Sequence, residues 1–205
     1  MISSESYSKG EIIQTYQNLE PRLSVKYQLA PSKSIKFSYN KTNQYIHLVS
    51  NTVASSPLDI WMPSSANIEP QVGHQVAIGW FQNFGLSNDI EFSAETYYRK
   101  TDNQLDYVNG ADLLLNDEIE GSVLPGQGRA YGLELYAKKN SGKINGWVSY
   151  TLARTEMQVD GISENWYPTR YDQLHNVKAT AFYDFSDRFS VSSTFTFLSG
   201  TPTTF

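Results

Sequence analysis

Eight stretches of roughly ten residues alternate apolar and polar side chains, and the connections between them are short and long in strict turn. A period of two puts successive side chains on opposite faces, so each stretch reads as a strand with one apolar and one polar face. The first, roughly 20–29, sets Leu23, Val25, Tyr27 and Leu29 against Arg22, Ser24, Lys26 and Gln28. The second sets Ile35, Phe37 and Tyr39 against Ser34, Lys36, Ser38 and Asn40. The third, roughly 71–81, sets Val72, Val76, Ile78 and Trp80 against Gly73, Gln75, Ala77 and Gly79. The fourth sets Ile90, Phe92, Ala94, Thr96 and Tyr98 against Glu91, Ser93, Glu95, Tyr97 and Arg99.

The second half repeats the pattern. Tyr131, Leu133, Leu135 and Ala137 oppose Gly132, Glu134 and Lys138. Ile144, Val148, Tyr150 and Leu152 oppose Asn145, Ser149 and Thr151, with Trp147 as an exception on the polar face. Val177, Ala179, Ala181 and Tyr183 oppose Asn176, Lys178 and Thr180. Phe189, Val191, Phe195 and Phe197 oppose Ser190, Ser192, Thr194 and Thr196.

The connections near 31, 85, 141 and 186 are short, and those over roughly 42–69, 101–128 and 154–173 are long. Transmembrane β-barrels have short turns on one side of the membrane and long loops on the other. Runs of about ten residues suffice to cross a bilayer at a tilt. Tyr27, Trp80, Phe81, Phe84, Tyr136, Trp147, Tyr183, Phe185 and Phe189 fall near the short turns, and Tyr39, Tyr97, Tyr98, Tyr131 and Phe197 toward the long loops. Two aromatic belts are expected at the two interfaces of such a barrel. A soluble antiparallel sheet alternates too, with its apolar face inward. That reading predicts burial of Leu133, Leu135, Phe195 and Phe197 in a core.

Composition narrows the field. Tyr (14), Phe (10) and Trp (4), with many Ser, Thr and Asn, favour strands over helices. No run of 18 apolar residues exists to form a membrane helix. A net charge of -5, without a basic block, argues against a nucleic-acid partner. The absence of Cys leaves no disulfide framework or thiolate metal site. Met1-Ile2-Ser3-Ser4-Glu5 has no basic segment before an apolar run, so no signal peptide is visible.

Several blocks follow in order: Leu19-Glu20-Pro21-Arg22-Leu23-Ser24, Gln44-Tyr45-Ile46-His47-Leu48, Gly126-Gln127-Gly128-Arg129-Ala130-Tyr131-Gly132-Leu133-Glu134, Gly146-Trp147 through Tyr150-Thr151-Leu152, Tyr171-Asp172-Gln173-Leu174-His175-Asn176 and Ser199-Gly200-Thr201-Pro202. In this order they resemble the barrel of TonB-dependent outer-membrane receptors, in the style common among Bacteroidota. The resemblance spans about 16 to 203. It implies energised uptake of a scarce nutrient, with an inner-membrane motor acting through TonB on a plug inside the barrel. Large transporters of this kind have about 22 strands. The expectation is therefore an all-β, antiparallel up-and-down transmembrane β-barrel, about eight strands of a 22-stranded whole. Residues 1–205 would be one partial barrel domain lacking the plug, a fragment of a longer chain in the Gram-negative cell outer membrane. The partners implied are outer-membrane lipid, the plug, TonB and a small nutrient ligand. Two rival readings are a complete eight-stranded barrel serving structure or adhesion, and a soluble β-sheet binding module.

Residues that could carry chemistry are few. Of the three histidines, His47, His74 and His175, the last lies near Asp172, but at an odd spacing that splits the pair between strand faces. A structural role at a strand entrance is expected for that pair, and an interfacial one for His74. Gly126-Gln127-Gly128 with Gly132 has the wrong spacing for a dinucleotide loop and precedes a strand. Glu91, Glu95, Arg99, Glu134 and Lys178 fall on the polar face as lumen-facing candidates. Glu91 and Glu95 stand about 13 Å apart along a strand, too far for paired-carboxylate glycoside hydrolysis. Trp61, Trp166 and Tyr167 in the long loops suit either ligand capture or loop self-packing. No catalytic residue, metal site or cofactor is expected, and the chain reads as a non-enzyme.

Overall fold

A computed structural model describes residues 14–49, 60–85, 89–107 and 119–202. The N-terminal Met1-Ile2-Ser3-Ser4-Glu5, the middle parts of the first two long connections and the end at Phe205 lie outside the described residues. The strands are β1 (Arg22–Ala30), β2 (Lys33–Gln44), β3 (Ile46–Val49), β4 (Ile60–Pro63), β5 (Gln71–Phe84), β6 (Ile90–Tyr107), β7 (Val123–Lys139), β8 (Ile144–Val159), β9 (Ser163–Pro168), β10 (His175–Ser186) and β11 (Phe189–Leu198). All pairings are antiparallel. The main sheet runs β1-β2-β5-β6-β7-β8-β10-β11, with β9 on the upper part of β8 and β3-β4 as a separate hairpin.

The eight alternating stretches are the eight strands of that order, and each short connection joins neighbours. β5, β6, β7 and β8 extend beyond the stretches that alternation marks. Their extensions, such as Thr101–Tyr107 and Val123–Ala130, carry polar side chains and glycines on both faces, so no apolar rhythm announces them. The β3–β4 hairpin and β9 occupy parts of connections expected to be loops.

The register joins like with like. Val25, Phe37, Ile78, Thr96, Leu133, Leu152 and His175 form one row across seven strands. Ile35, Trp80, Ala94, Leu135, Tyr150, Val177 and Phe197 form the next. Among the described residues, no second layer packs on this face. Phe195, Phe197 and Leu133 are 58%, 50% and 37% exposed. A soluble sheet would cover such a surface with a second layer. The small apolar cluster among the described residues, Met62, Ile68 and Val123 with Leu105, lies at the long-loop end instead.

The short turns descend along the sheet. Lys33 closes the β1–β2 turn, and its row passes through Gln82, Phe92, Ala137 and Val148 to Ala179. Ala179 lies seven residues short of the strand end at Ser186. Seven residues span about 23 Å, and the five interstrand steps span about 24 Å. With the turns level, the strands tilt about 45°, the inclination of a barrel wall. β1 and β11 each pair on one side only, so the sheet is open.

Candidate functional site

The polar face carries a charge-sorted row. In register it reads Lys26, Lys36, Gly79, Glu95, Glu134, Thr151 and Asn176. Two lysines face each other on β1 and β2, and two glutamates face each other on β6 and β7. Gly79 separates the pairs. A Cβ there would meet Glu95 Oε2 at 2.9 Å and the Phe81 ring at 2.8 Å, so glycine gives both side chains their room over β5. Like charges directly opposed on a sheet are destabilising. Among the described residues, no cation lies within ion-pair distance of Glu95 or Glu134.

The other polar-face candidates surround this row. Glu91 accepts a hydrogen bond from Asn140 Nδ2 at the short-turn end and stands opposite Lys138. Arg99 lies across Gly73, whose Cβ would sit 2.8 Å from the guanidinium. Lys178 is in register with Ser149 and Thr196. Tyr97, on the same face, crosses Gly132, and Tyr136 stacks on Trp147 with ring centroids 6.3 Å apart. The five residues predicted from sequence therefore share one wall without forming one cluster. Glu95 and Glu134 are brought together; Glu91, Arg99 and Lys178 stay apart. Reading from the sequence missed Lys26, Lys36 and Tyr97 as members. Their alternation was visible, but their grouping needs the cross-strand register.

The long-loop end is tied by ion pairs. Asp172, 3% exposed, accepts from Arg154 Nη1 and from the Thr155 backbone N–H, both at 2.7 Å. This pins the β9–β10 connection to β8. His175 bonds the Tyr150 hydroxyl at 2.9 Å, so Asp172 and His175 serve different partners. Arg129 donates to Glu156 at 2.8 Å, and its guanidinium lies 4.2 Å from the centre of the Trp166 ring. Tyr167 donates to Asp106 at 2.7 Å, and burial, reinforced by that carboxylate, raises the phenol's pKa. Trp166 and Tyr167 are thus engaged within the rim, whereas Trp61 on β4 stays exposed. An open polar pocket of about 330 Å³ lies between Asp102 and Asp160, over Gly126 and Gln127. Among the described residues, no group of three or more His, Cys, Asp or Glu is placed to hold a metal ion.

Residues 3–204 match the family model described as TonB dependent receptor-like, beta-barrel. No curated protein matches the chain.

Proposed function

The chain belongs to the TonB-dependent receptor-like β-barrel family, and from that premise we propose that it forms part of the barrel wall of an outer-membrane receptor for energised nutrient uptake. The observation that carries this reading is the two-faced open sheet. One face is predominantly apolar and largely exposed, suited to lipid; the other is polar and charged, suited to a filled lumen. Glu95 and Glu134 support a lumen occupant with cationic side chains, the role a plug domain would fill. The chain performs no bond chemistry; it bounds the route and seats the plug, while TonB acts on the plug from the inner side. The lack of pairing between β1 and β11 weighs against a closed eight-stranded barrel, and the uncovered apolar face against a soluble module.

The test is expression of the receptor gene in its Gram-negative host, followed by fractionation and uptake assays. The expected result is an outer-membrane protein with heat-modifiable electrophoretic mobility whose nutrient accumulation stops when the proton-motive force is collapsed. Accumulation that persists without that force would overturn energised uptake. Recovery in the soluble fraction would overturn the barrel itself.

A further inference from the structure

Two irregularities flank β7 at one level. On one side the β6–β7 register shifts between Asp102 and Gln104, where Asn103 takes a φ of 59°. On the other the β7–β8 ladder ends at the pair Gln127–Gln158, and β8 turns at Asp160 to pair with β9. Gly126 brings the two backbones close at that point, since a Cβ there would overlap the Gln158 carbonyl oxygen and the Val159 side chain. The open pocket of about 330 Å³ lies between these two breaks. Its volume is at the small end for ligand sites, suited to a single sugar ring.

The polar groups around it are mostly acceptors. Asn103 Nδ2 donates to Glu69 Oε2 and to the Pro70 carbonyl, both at 3.1 Å. Gln158 Nε2 donates to the Glu164 carbonyl. Backbone carbonyls only accept, so each amide is fixed with its NH2 on that carbonyl and its oxygen left over. Pro125 in the lining has no N–H to offer. Asp102 pairs Oδ1 with Lys100 at 3.0 Å and keeps Oδ2. Asp160 has no cation within ion-pair distance among the described residues. Gln127, exposed and in register between Asp102 and Gln158, keeps its whole amide.

A surplus of acceptors calls for a ligand that brings donors and positive charge. We propose that this pocket binds an aminated sugar. Its ammonium lies at Asp160, the carboxylate without a cation. Its hydroxyls donate to Asp102 Oδ2, Asn103 Oδ1 and Gln158 Oε1 and accept from Gln127. Asp102, Gln127 and Gln158 share the face of the apolar rows, and Asp102 and Gln127 each stand twelve residues from the turn-side strand ends at Ile90 and Lys139. Twelve residues at about 3.3 Å, tilted about 45°, rise about 28 Å, past an apolar band of about 25 Å. The pocket is therefore in water on the outer flank of the wall, and its ligand is held there without entering the uptake route. That position rests on the membrane-spanning reading; the ligand class rests on the pocket's own chemistry.

The experiment titrates the receptor, purified in detergent from its host, with glucosamine, glucose and calcium chloride, and reads sugar binding by saturation-transfer NMR. Glucosamine is expected to bind about fivefold tighter than glucose, the gain of one exposed ion pair, and to lose that advantage as ionic strength rises. Asp160→Asn should bring the two sugars level, and Asp160→Glu should keep the preference. Gln127→Leu should weaken both sugars by about fivefold. Equal binding of the two sugars by the wild type, or a preference that survives Asp160→Asn with heat-modifiable mobility intact, would overturn the proposal. So would a preference lost in Glu134→Gln, which would place the ammonium in the lumen, or displacement of glucosamine by equimolar calcium, which would make the pocket a metal site. A glucosamine tetramer binding no tighter than the monomer assigns the site to a free sugar, and tighter binding assigns it to a chain end of a polysaccharide; both uphold it. Protein recovered in the soluble fraction that still prefers glucosamine through Asp160 would remove the membrane reading and leave the ligand assignment standing.

Discussion

Glu95 on β6 and Glu134 on β7 stand directly opposite each other on the polar face, with Gly79 on one side and Thr151 on the other. An opposed carboxylate pair of this kind lowers sheet stability by a few tenths to about 1 kcal/mol unless a cation sits between them. Glu134→Gln should therefore stabilise the plug-free barrel by about 0.5 kcal/mol in urea titrations. In the full receptor the same variant should loosen the lumen domain, seen as faster proteolysis of that domain. Destabilisation of the plug-free barrel would mean that the pair is not repulsive.

Val148 and Thr151 lie on opposite faces of β8 and make a paired test of which face meets lipid. Val148→Lys should cost about 2–4 kcal/mol and lower the folded yield in bilayers. Thr151→Lys places an ammonium opposite Glu134 and should be neutral or stabilising. Equal costs at the two positions, measured by denaturant unfolding in vesicles, would contradict the assignment of faces.

The faces of all eight strands were legible because alternation survives wherever one side is apolar, as from Ile144 to Leu152. The upper parts of β6 and β7 were not. Thr101, Asp102, Asn103 and Gln104 are polar in succession, and the register shifts between Asp102 and Gln104 at Asn103, whose φ is 59°. β9, from Ser163 to Pro168, groups three polar residues before Trp166 and Tyr167 with no period-two rhythm, and is held by β8 and the rim contacts. The opposed pairs Lys26–Lys36 and Glu95–Glu134 were also hidden. Parity assigns a face, but only the closing geometry of each turn decides which residue stands opposite which. Trp166 and Tyr167 looked equally suited to ligand capture because nothing in a loop sequence shows Arg129 or Asp106 beneath them.

Gly146 is the glycine that the fold can least afford to change. Its φ of 147° disfavours any side chain, and a Cβ there would overlap the Thr180 carbonyl oxygen on β10. Gly146→Ala should cost about 2 kcal/mol or more and weaken the β8–β10 pairing. Gly200→Ala, with nothing within 4 Å of its Cβ, should fall within about 0.5 kcal/mol of wild type. Comparable unfolding midpoints for the two would show that β8 does not approach β10 as closely as the register implies.

Asp172 is nearly buried while its partner Arg154 is partly exposed. Asp172→Ala leaves the Thr155 N–H without its acceptor and frees the guanidinium to solvent. The expected loss is about 1–3 kcal/mol, confined to the β9–β10 connection. Hydrogen exchange should accelerate at Thr155 and around Thr169 while the mid-strand amides of β8 stay protected. Uniform acceleration would mean that the ion pair supports the whole sheet.

His47 makes the β3–β4 hairpin sensitive to acid. Its ring, 4% exposed, pairs with Ser64 Oγ at 3.1 Å, and burial lowers its pKa below 6.5. Once the hairpin opens, the imidazole regains its ordinary pKa and binds a proton more readily than in the closed form. The open state therefore holds more protons between the two pKa values, and hairpin stability falls as pH drops below about 6.5. The opening constant should rise by up to about tenfold per pH unit until the closed form also titrates. Amide exchange at His47 and Met62, corrected for the intrinsic pH dependence of exchange, reads this directly. His47→Gln should flatten the corrected profile; a slope that survives in that variant would place the acid sensitivity on another group.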